Sequence, residues 1–129
     1  MYKETIISIV ILIFIFGLNY ITEKNTDKTV NIMSENLEAV RQDLVKDDID
    51  KEQIKQDTFK AYDKWEELDD AMAYYIEHDE LEKVKTAITS VKSYVEMEEY
   101  SQSVEAIDKC IYILEHIRHR EMFKMDNIF

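Results

Sequence analysis

Three histidines and their acidic neighbours are the side chains of this 129-residue chain best suited to acid–base chemistry or metal binding. His78 and Glu80 could form an acid–base pair, and His116 and His119 are three residues apart, which allows joint ligation from one helix. Di-metal sites in helical bundles need inward-facing Glu and Glu-x-x-His motifs on several helices, and this sequence has no such motif. The competing interpretation, which we favour, is that His78 and Glu80 cap a helix end or pair with Arg118 or Arg120.

Other catalytic arrangements are also missing from the sequence. Its one glycine, Gly17, lies in an apolar run, so no glycine-rich phosphate loop can form, and no Ser or Cys lies in a nucleophile motif. The single Cys110 excludes an internal disulfide and is expected in the core, with a disulfide between two copies as the alternative. The acidic cluster 47–52 lacks the spacing of an EF-hand and is predicted to be a solvated turn. We therefore predict no enzymatic activity, no metal and no cofactor.

Composition indicates an all-α chain. Proline is absent and glycine occurs once, which is too few turn formers for a sandwich or a barrel. The chain has 16 basic and 28 acidic residues, a formal net charge of -12, so duplex nucleic acid is disfavoured as a partner.

An uncharged apolar run near the N-terminus predicts a membrane anchor. It reads TIISIVILIFIFGL and continues to Ile21, so that residues 5–21 would span about 25 Å as a helix. Tyr2 and Tyr20 bracket the run and suit the two interfacial zones. A cleaved signal peptide is the alternative, but the following residues lack a small-residue cleavage pattern. We predict an uncleaved transmembrane anchor over 1–22 and a helical domain over 23–129.

The orientation of this anchor is predicted from its short N-terminal flank. Lys3 and the terminal amine oppose Lys24 and Lys28, so the positive-inside count is nearly balanced. A short flank of this kind resembles a signal anchor, which places the N-terminus in the cytoplasm and the helical domain outside the cell membrane.

Four apolar stripes with alternating spacings of three and four residues follow the anchor, and each predicts an amphipathic helix. We expect an antiparallel, left-handed bundle of four helices, or three if residues 22–47 continue the anchor helix. Phe59, Tyr62 and Ile76 are expected to widen the second buried face. The stripes are Val30, Met33, Leu37, Val40 and Leu44; Ile54, Thr58, Ala61, Trp65, Leu68, Met72 and Tyr75; Leu81, Val84, Ile88, Val91 and Val95; and Val104, Ile107, Ile111 and Leu114, with Cys110, Ile113 and Ile117 beside them.

Three short breaks separate the predicted helices. They lie at 47–50, where an Asp should cap the next helix, at 78–80, and near 97–101. Asp79 is predicted to be the N-cap of the third helix, with Glu82 in the capping-box position. In an antiparallel bundle the 78–80 turn and the C-terminus both lie at the membrane-proximal end.

The C-terminal segment is unusually apolar for a chain end, because it contains Met122, Phe123, Met125, Ile128 and Phe129. The base of the bundle, the lipid surface or a second protein could cover it. We expect it to pack against the His78 turn, with part of the patch left for a partner.

A set of spaced residues resembles one protein family, catalogued as domain of unknown function four-three-six-three. The set comprises Trp65, His78, Glu80, Leu81, Val84, His116, Ile117 and the terminal Asn127, Ile128 and Phe129. The resemblance covers nearly the whole chain and implies a small, membrane-anchored helical protein of Gram-positive spore-forming bacteria, with no assigned reaction. It also implies a membrane partner, because genes of this family lie near those of a multi-span family, domain of unknown function four-two-one.

The function predicted from these features is that of a non-enzymatic accessory or scaffold subunit whose membrane-proximal end binds an integral membrane protein. The predicted partner-binding residues are His78, Glu80, Phe123, Asn127, Ile128 and Phe129. An extracytoplasmic sensor, or a bundle that binds a small ligand or a metal, is the alternative. A homo-oligomer also remains open, because heptad stripes can continue onto copies of the same chain.

Overall fold

The computed structural model describes residues 2–128, with side chains through Lys124. Over that range it contains four α-helices and no strand: α1 (Tyr2–Leu44), α2 (Lys51–Met72), α3 (His78–Glu96) and α4 (Tyr100–Ile128). The prediction of an all-α chain with one long apolar N-terminal helix is confirmed.

The first helix runs through the predicted boundary at residue 22 without a break. The hydroxyl of Thr22 donates to the carbonyl of Asn19 at 3.0 Å, and that of Thr26 donates to the carbonyl of Thr22 at 2.8 Å. The two threonine hydroxyls therefore bond to carbonyls of the same helix and do not compete with its backbone hydrogen bonds. A three-helix domain was expected in this case, and that expectation is wrong, because residues 26–44 still pack as the first helix of a four-helix bundle.

Each helix packs against two others. α1 contacts α2 and α4, and α3 contacts the same two helices. The guanidinium of Arg41 binds Asp108 at 2.9 Å, and that of Arg118 binds Asn31 at 3.0 Å. Residue numbers at these contacts fall along α4 as they rise along α1, so the two helices run in opposite directions.

The predicted stripes form the core. Trp65 is fully buried, and the buried hydroxyl of Thr58 donates a hydrogen bond to the carbonyl of Ile54 at 2.7 Å. Phe59 was expected to widen the buried face, but it lies at the surface, where the Lys92 ammonium is 5.2 Å from its ring centre. The buried stripe residues are Val30, Met33, Leu37, Val40, Leu44, Ile54, Thr58, Ala61, Trp65, Met72, Leu81, Val84, Ile88, Val91, Val95, Ile107, Cys110, Leu114 and Ile117. Those partly buried against them are Leu68, Tyr75, Val104, Ile111 and Ile113.

The first two turns confirm one cap and correct another. Asp50 caps α2, since its carboxylate accepts a hydrogen bond from the backbone N–H of Gln53 at 3.2 Å. The prediction that Asp79 caps α3 is wrong, because the break between α2 and α3 lies at 73–77 and not at 78–80. The N-cap of α3 is Glu77, two residues before Asp79. The carbonyl of Glu77 accepts the first backbone hydrogen bonds of this helix.

The third turn lies where the sequence predicted it, between α3 and α4. Glu98 closes it in the left-handed backbone conformation, with φ of 59°. Residues other than glycine adopt this conformation at an energetic cost, so the turn contains local strain.

Candidate functional site

The start of α3 and the last turns of α4 meet at the end of the bundle nearest the apolar half of α1. We call this region the basal site and define it by Glu77, His78, Glu80, Arg120 and Phe123. The Arg120 guanidinium joins the two helices: it donates to Glu80 Oε1 and to Glu77 Oε1, each at 3.0 Å. One arginine therefore fixes the first turn of α3 against α4.

Glu80 is the buried member of this group. Its side chain is 6% exposed, and Oε1 also lies 3.5 Å from the ammonium of Lys83. Its second carboxylate oxygen is buried without a hydrogen-bond partner among the described side chains. A buried carboxylate is strongly unfavourable unless it is paired, so Arg120 is the group that makes this position tolerable.

His78 does not form an acid–base pair with Glu80. Its side chain is 83% exposed, and Nε2 lies 3.5 Å from Glu82 Oε1, one helical turn along the same surface. Glu80 points inward to Arg120 instead. The pairing of this turn with an arginine, the competing interpretation of the sequence, describes the arrangement.

His116 and His119 lie on the exposed face of α4. Across the part of the chain that the structure describes, no three His, Cys, Asp or Glu side chains are grouped so that they could hold a metal ion. The sequence spacing therefore places these two histidines on one surface, without further ligands beside them.

The apolar end of α4 remains exposed up to the last described side chains. Met122 is 41% and Phe123 is 66% exposed, and both line an open depression of about 660 Å³ together with His116, His119 and Arg120. Met122 and Phe123 are thus the part of the apolar segment that stays open, while Arg120 pairs with the start of α3. Met125, Ile128 and Phe129 lie outside the described side chains, so the expected packing of the segment against the His78 turn stays a prediction.

Three of the predicted partner-binding residues lie beyond the described side chains. Asn127 and Ile128 belong to the last turn of α4, whose backbone alone is described, and Phe129 lies outside the described residues. The helix therefore continues toward the apolar half of α1 for a full turn past Phe123.

The contact between Arg118 and Asn31 sets the height of Phe123 along α1. Asn31 is ten residues beyond Ile21, the last residue of the apolar run, which corresponds to about 15 Å of helix. Phe123 lies five residues closer to that run on α4, or about 7 Å above the level of Ile21. The headgroup layer of a bilayer has a comparable thickness, about 5–7 Å on each side.

The apolar half of α1 is the other exposed surface at this end. Its most apolar window of 18 residues has a mean hydropathy of 2.3, and none of it is buried within the chain. In the described part of the chain it is the one helix long and apolar enough to cross a membrane.

Sequence reasoning missed two features away from the basal site. A groove of about 430 Å³ runs between α3 and α4, with Ala87, Ala106 and Tyr94 among its lining residues. At the far end of the bundle, the hydrogen bond with Asp57 and burial raise the pKa of Asp43. The alanines at 87 and 106 could have indicated the groove, because small side chains leave space between helices. The pair of Asp43 and Asp57 could not be predicted from the sequence, because the two residues lie on separate helices.

Cys110 lies in the core as predicted. Burial raises the pKa of its thiol to about 12. The thiolate, the reactive form, is therefore negligible at neutral pH while the chain is folded.

Fold and site together define an all-helical chain in which one apolar helix continues directly into a four-helix bundle. The model of one family, described as "Domain of unknown function (DUF4363)", matches residues 20–128, and the chain belongs to this family. The match begins at Tyr20, so it covers the bundle and leaves most of the apolar run outside. No curated protein and no solved structure matches the chain.

Proposed function

We propose that this chain is a membrane-anchored, non-enzymatic accessory or scaffold subunit whose basal site binds an integral membrane protein. The single observation that carries the proposal is the continuity of α1, a 43-residue helix whose apolar first half is exposed and whose second half buries one face in the bundle. A helix without a hinge holds the bundle at a constant height above the bilayer. The basal site would then face the membrane and whatever protrudes from it.

The proposed topology has residues 5–21 in the bilayer, the N-terminus in the cytoplasm and an antiparallel, left-handed bundle outside the cell. Tyr20 would lie at the outer interface, and its ring lies under the ammonium of Lys24 at 5.4 Å. Carbonate extraction of membranes and protease protection test this topology. Release of the chain by carbonate, or its presence in the medium without the first residues, would contradict it.

The exposed apolar surface of the basal site supports the proposal of a protein partner. An apolar ring such as Phe123, exposed by two thirds near the headgroups, is typical of surfaces that contact another molecule. The charged groups beside it, Arg120 and Glu80, are already paired with each other. Ordered ion pairs of this kind position the surface, which suits a binding role better than proton transfer.

Site-specific photo-crosslinking tests the proposal in intact membranes. A benzophenone side chain in place of Phe123 should crosslink to an integral membrane protein other than a second copy of this chain, identified by mass spectrometry. The same side chain in place of Phe59, an exposed ring on α2 far from the base, is the matched control. The multi-span family named above, domain of unknown function four-two-one, supplies the first partner to co-express. Equal crosslinking from both positions, or only lipid adducts from position 123, would refute the proposal.

A second candidate function, binding of a small ligand, is favoured by the groove between α3 and α4. Its volume of about 430 Å³ lies within the range of ligand pockets, about 300–1,000 Å³, and its lining combines apolar and charged side chains. A panel of metabolites screened by thermal shift would support this function if one compound stabilises the chain saturably and Ala106→Leu, which fills the groove, abolishes the effect.

A further inference from the structure

The outer face of α4 carries a second stripe of large side chains, opposite the stripe that forms the core. Tyr112, His116, His119 and Phe123 follow one another at spacings of four, three and four residues, and all four are exposed. Tyr112 is 74% and Phe123 66% exposed, whereas Leu114 on the inner face is fully buried. We call these four residues the outer stripe.

We propose that the outer stripe is a dimer interface and packs, in parallel, against the outer stripe of a second copy of this chain. Alternating spacings of four and three residues are those of the facing positions in a coiled coil. The stripe covers 12 residues, and its two ends are about 17 Å, or about three turns, apart along the helix. Aromatic rings at both ends of the stripe would meet their counterparts across the pair.

The membrane supports this choice of occupant, and this step rests on the anchoring proposed above. Two copies anchored in one bilayer have the same orientation, and the unbroken α1 holds both outer stripes at the same height. Only a parallel arrangement is then available, with like residues facing each other. Confinement to the membrane also raises the effective concentration, so a short stripe can suffice.

Charge complementarity also favours a second copy. The chain has a net charge of -12, yet the segment from Tyr112 to Phe123 contains two basic residues, Arg118 and Arg120, and two acidic ones, Glu115 and Glu121. This segment is therefore neutral overall, and repulsion between two copies is small along it.

The flanks of the outer stripe have opposite charges. Glu115 lies on one flank and Arg120 on the other, five residues later, which is the spacing that places opposite charges side by side in a parallel pair. Their side chains are 35% and 40% exposed, so each can approach the partner copy while it keeps its contacts in its own chain.

Disulfide crosslinking of His119→Cys in native membranes tests the interface. The native Cys110 is buried, with a pKa of about 12, so it does not interfere while the chain is folded. Mild oxidation should give a covalent dimer of His119→Cys.

Asp70→Cys is the matched control. Asp70 is exposed on α2, which makes no contact with α4 and lies diagonally across the bundle. We expect the dimer to form at least about tenfold faster from His119→Cys than from this control, because only the stripe is held against its counterpart. A second variant, Tyr112→Glu in the His119→Cys chain, should reduce the rate to that of the control while the helical content remains unchanged.

The inference is overturned if position 119 crosslinks no faster than position 70 although a maleimide labels both thiols. It is equally overturned if Tyr112→Glu leaves the rate unchanged, or if crosslinking at 119 captures a different protein. Carbonate extraction is run on the same membranes, so a failure of the anchoring is recognised separately. Phe123, at the basal end of the outer stripe, is shared with the membrane partner proposed above, so this test uses positions 112 and 119, which lie farther from the base.

Discussion

Replacement of Arg120 by methionine should destabilise the bundle more than the loss of any exposed ion pair. The change keeps the aliphatic bulk of the side chain but leaves the Glu80 carboxylate, 6% exposed, with the ammonium of Lys83 at 3.5 Å as its remaining charged neighbour. Removal of one partner from a buried pair costs about 3–5 kcal/mol. Arg120 itself is 40% exposed and Lys83 offsets part of the loss, so we expect about 2–3 kcal/mol here.

Thermal unfolding in detergent, followed by circular dichroism, measures this effect. For a domain of this size, 2–3 kcal/mol corresponds to a fall in Tm of roughly 10 °C or more. The double variant Arg120→Met with Glu80→Met should recover to within about 1 kcal/mol of the parent, because no buried charge then remains. Lys64→Met is the control, since its partner Glu67 is exposed and such pairs contribute less than about 1 kcal/mol. A loss at Arg120 no larger than the loss at Lys64 would refute the reasoning.

Three further predictions concern the turns and the core. The hydrogen bond with Asp57 and burial raise the pKa of Asp43 above its usual value of 3.8. Protonation of Asp43 therefore stabilises the fold at a pH below 3.8, and this stabilisation is lost as the pH rises through the folded-state pKa. Asp43→Asn should raise the urea midpoint at neutral pH but not near pH 3. Glu98→Gly should stabilise the bundle by about 1 kcal/mol in thermal unfolding, because glycine adopts the left-handed conformation without a penalty. Glu99→Gly is the control and should not stabilise it, so equal effects of the two changes would contradict this prediction. The Cys110 thiol should react with Ellman's reagent only as fast as the chain unfolds, and rapid labelling in native buffer would contradict its burial.

Buried faces could be predicted from the sequence because they depend on local spacing. Leu81, Val84 and Ile88 recur with the helical period, and each is buried. The same rule placed Phe59 inside, and the structure places it at the surface, where Lys92 lies above the ring. Spacing gives the direction of a side chain from its own helix, whereas the width of the buried face depends on how closely the neighbouring helices approach.

The basal site could be predicted only in outline. The location of His78 and the end of α4 at one end of the bundle followed from helix count and short turns, and the Arg120 contacts agree with it. The buried state of Glu80 could not be predicted, because its partner lies 40 residues away in the sequence. His116 and His119 were considered as metal ligands, although together with Tyr112 and Phe123 their spacing already described an exposed stripe.

Continuity of α1 joins the two proposals, because it determines how the bundle can meet other molecules. A domain on a flexible linker explores many orientations, and each contact must then compensate for the orientational freedom that it removes. Here the helix that would cross the bilayer is the same helix that carries Val30 and Leu37 in the core, so tilt and rotation of the anchor pass directly to the bundle. Partners in the same membrane would meet a surface that is already oriented, and small patches such as the outer stripe or the basal site can then bind specifically despite the acidic surface elsewhere.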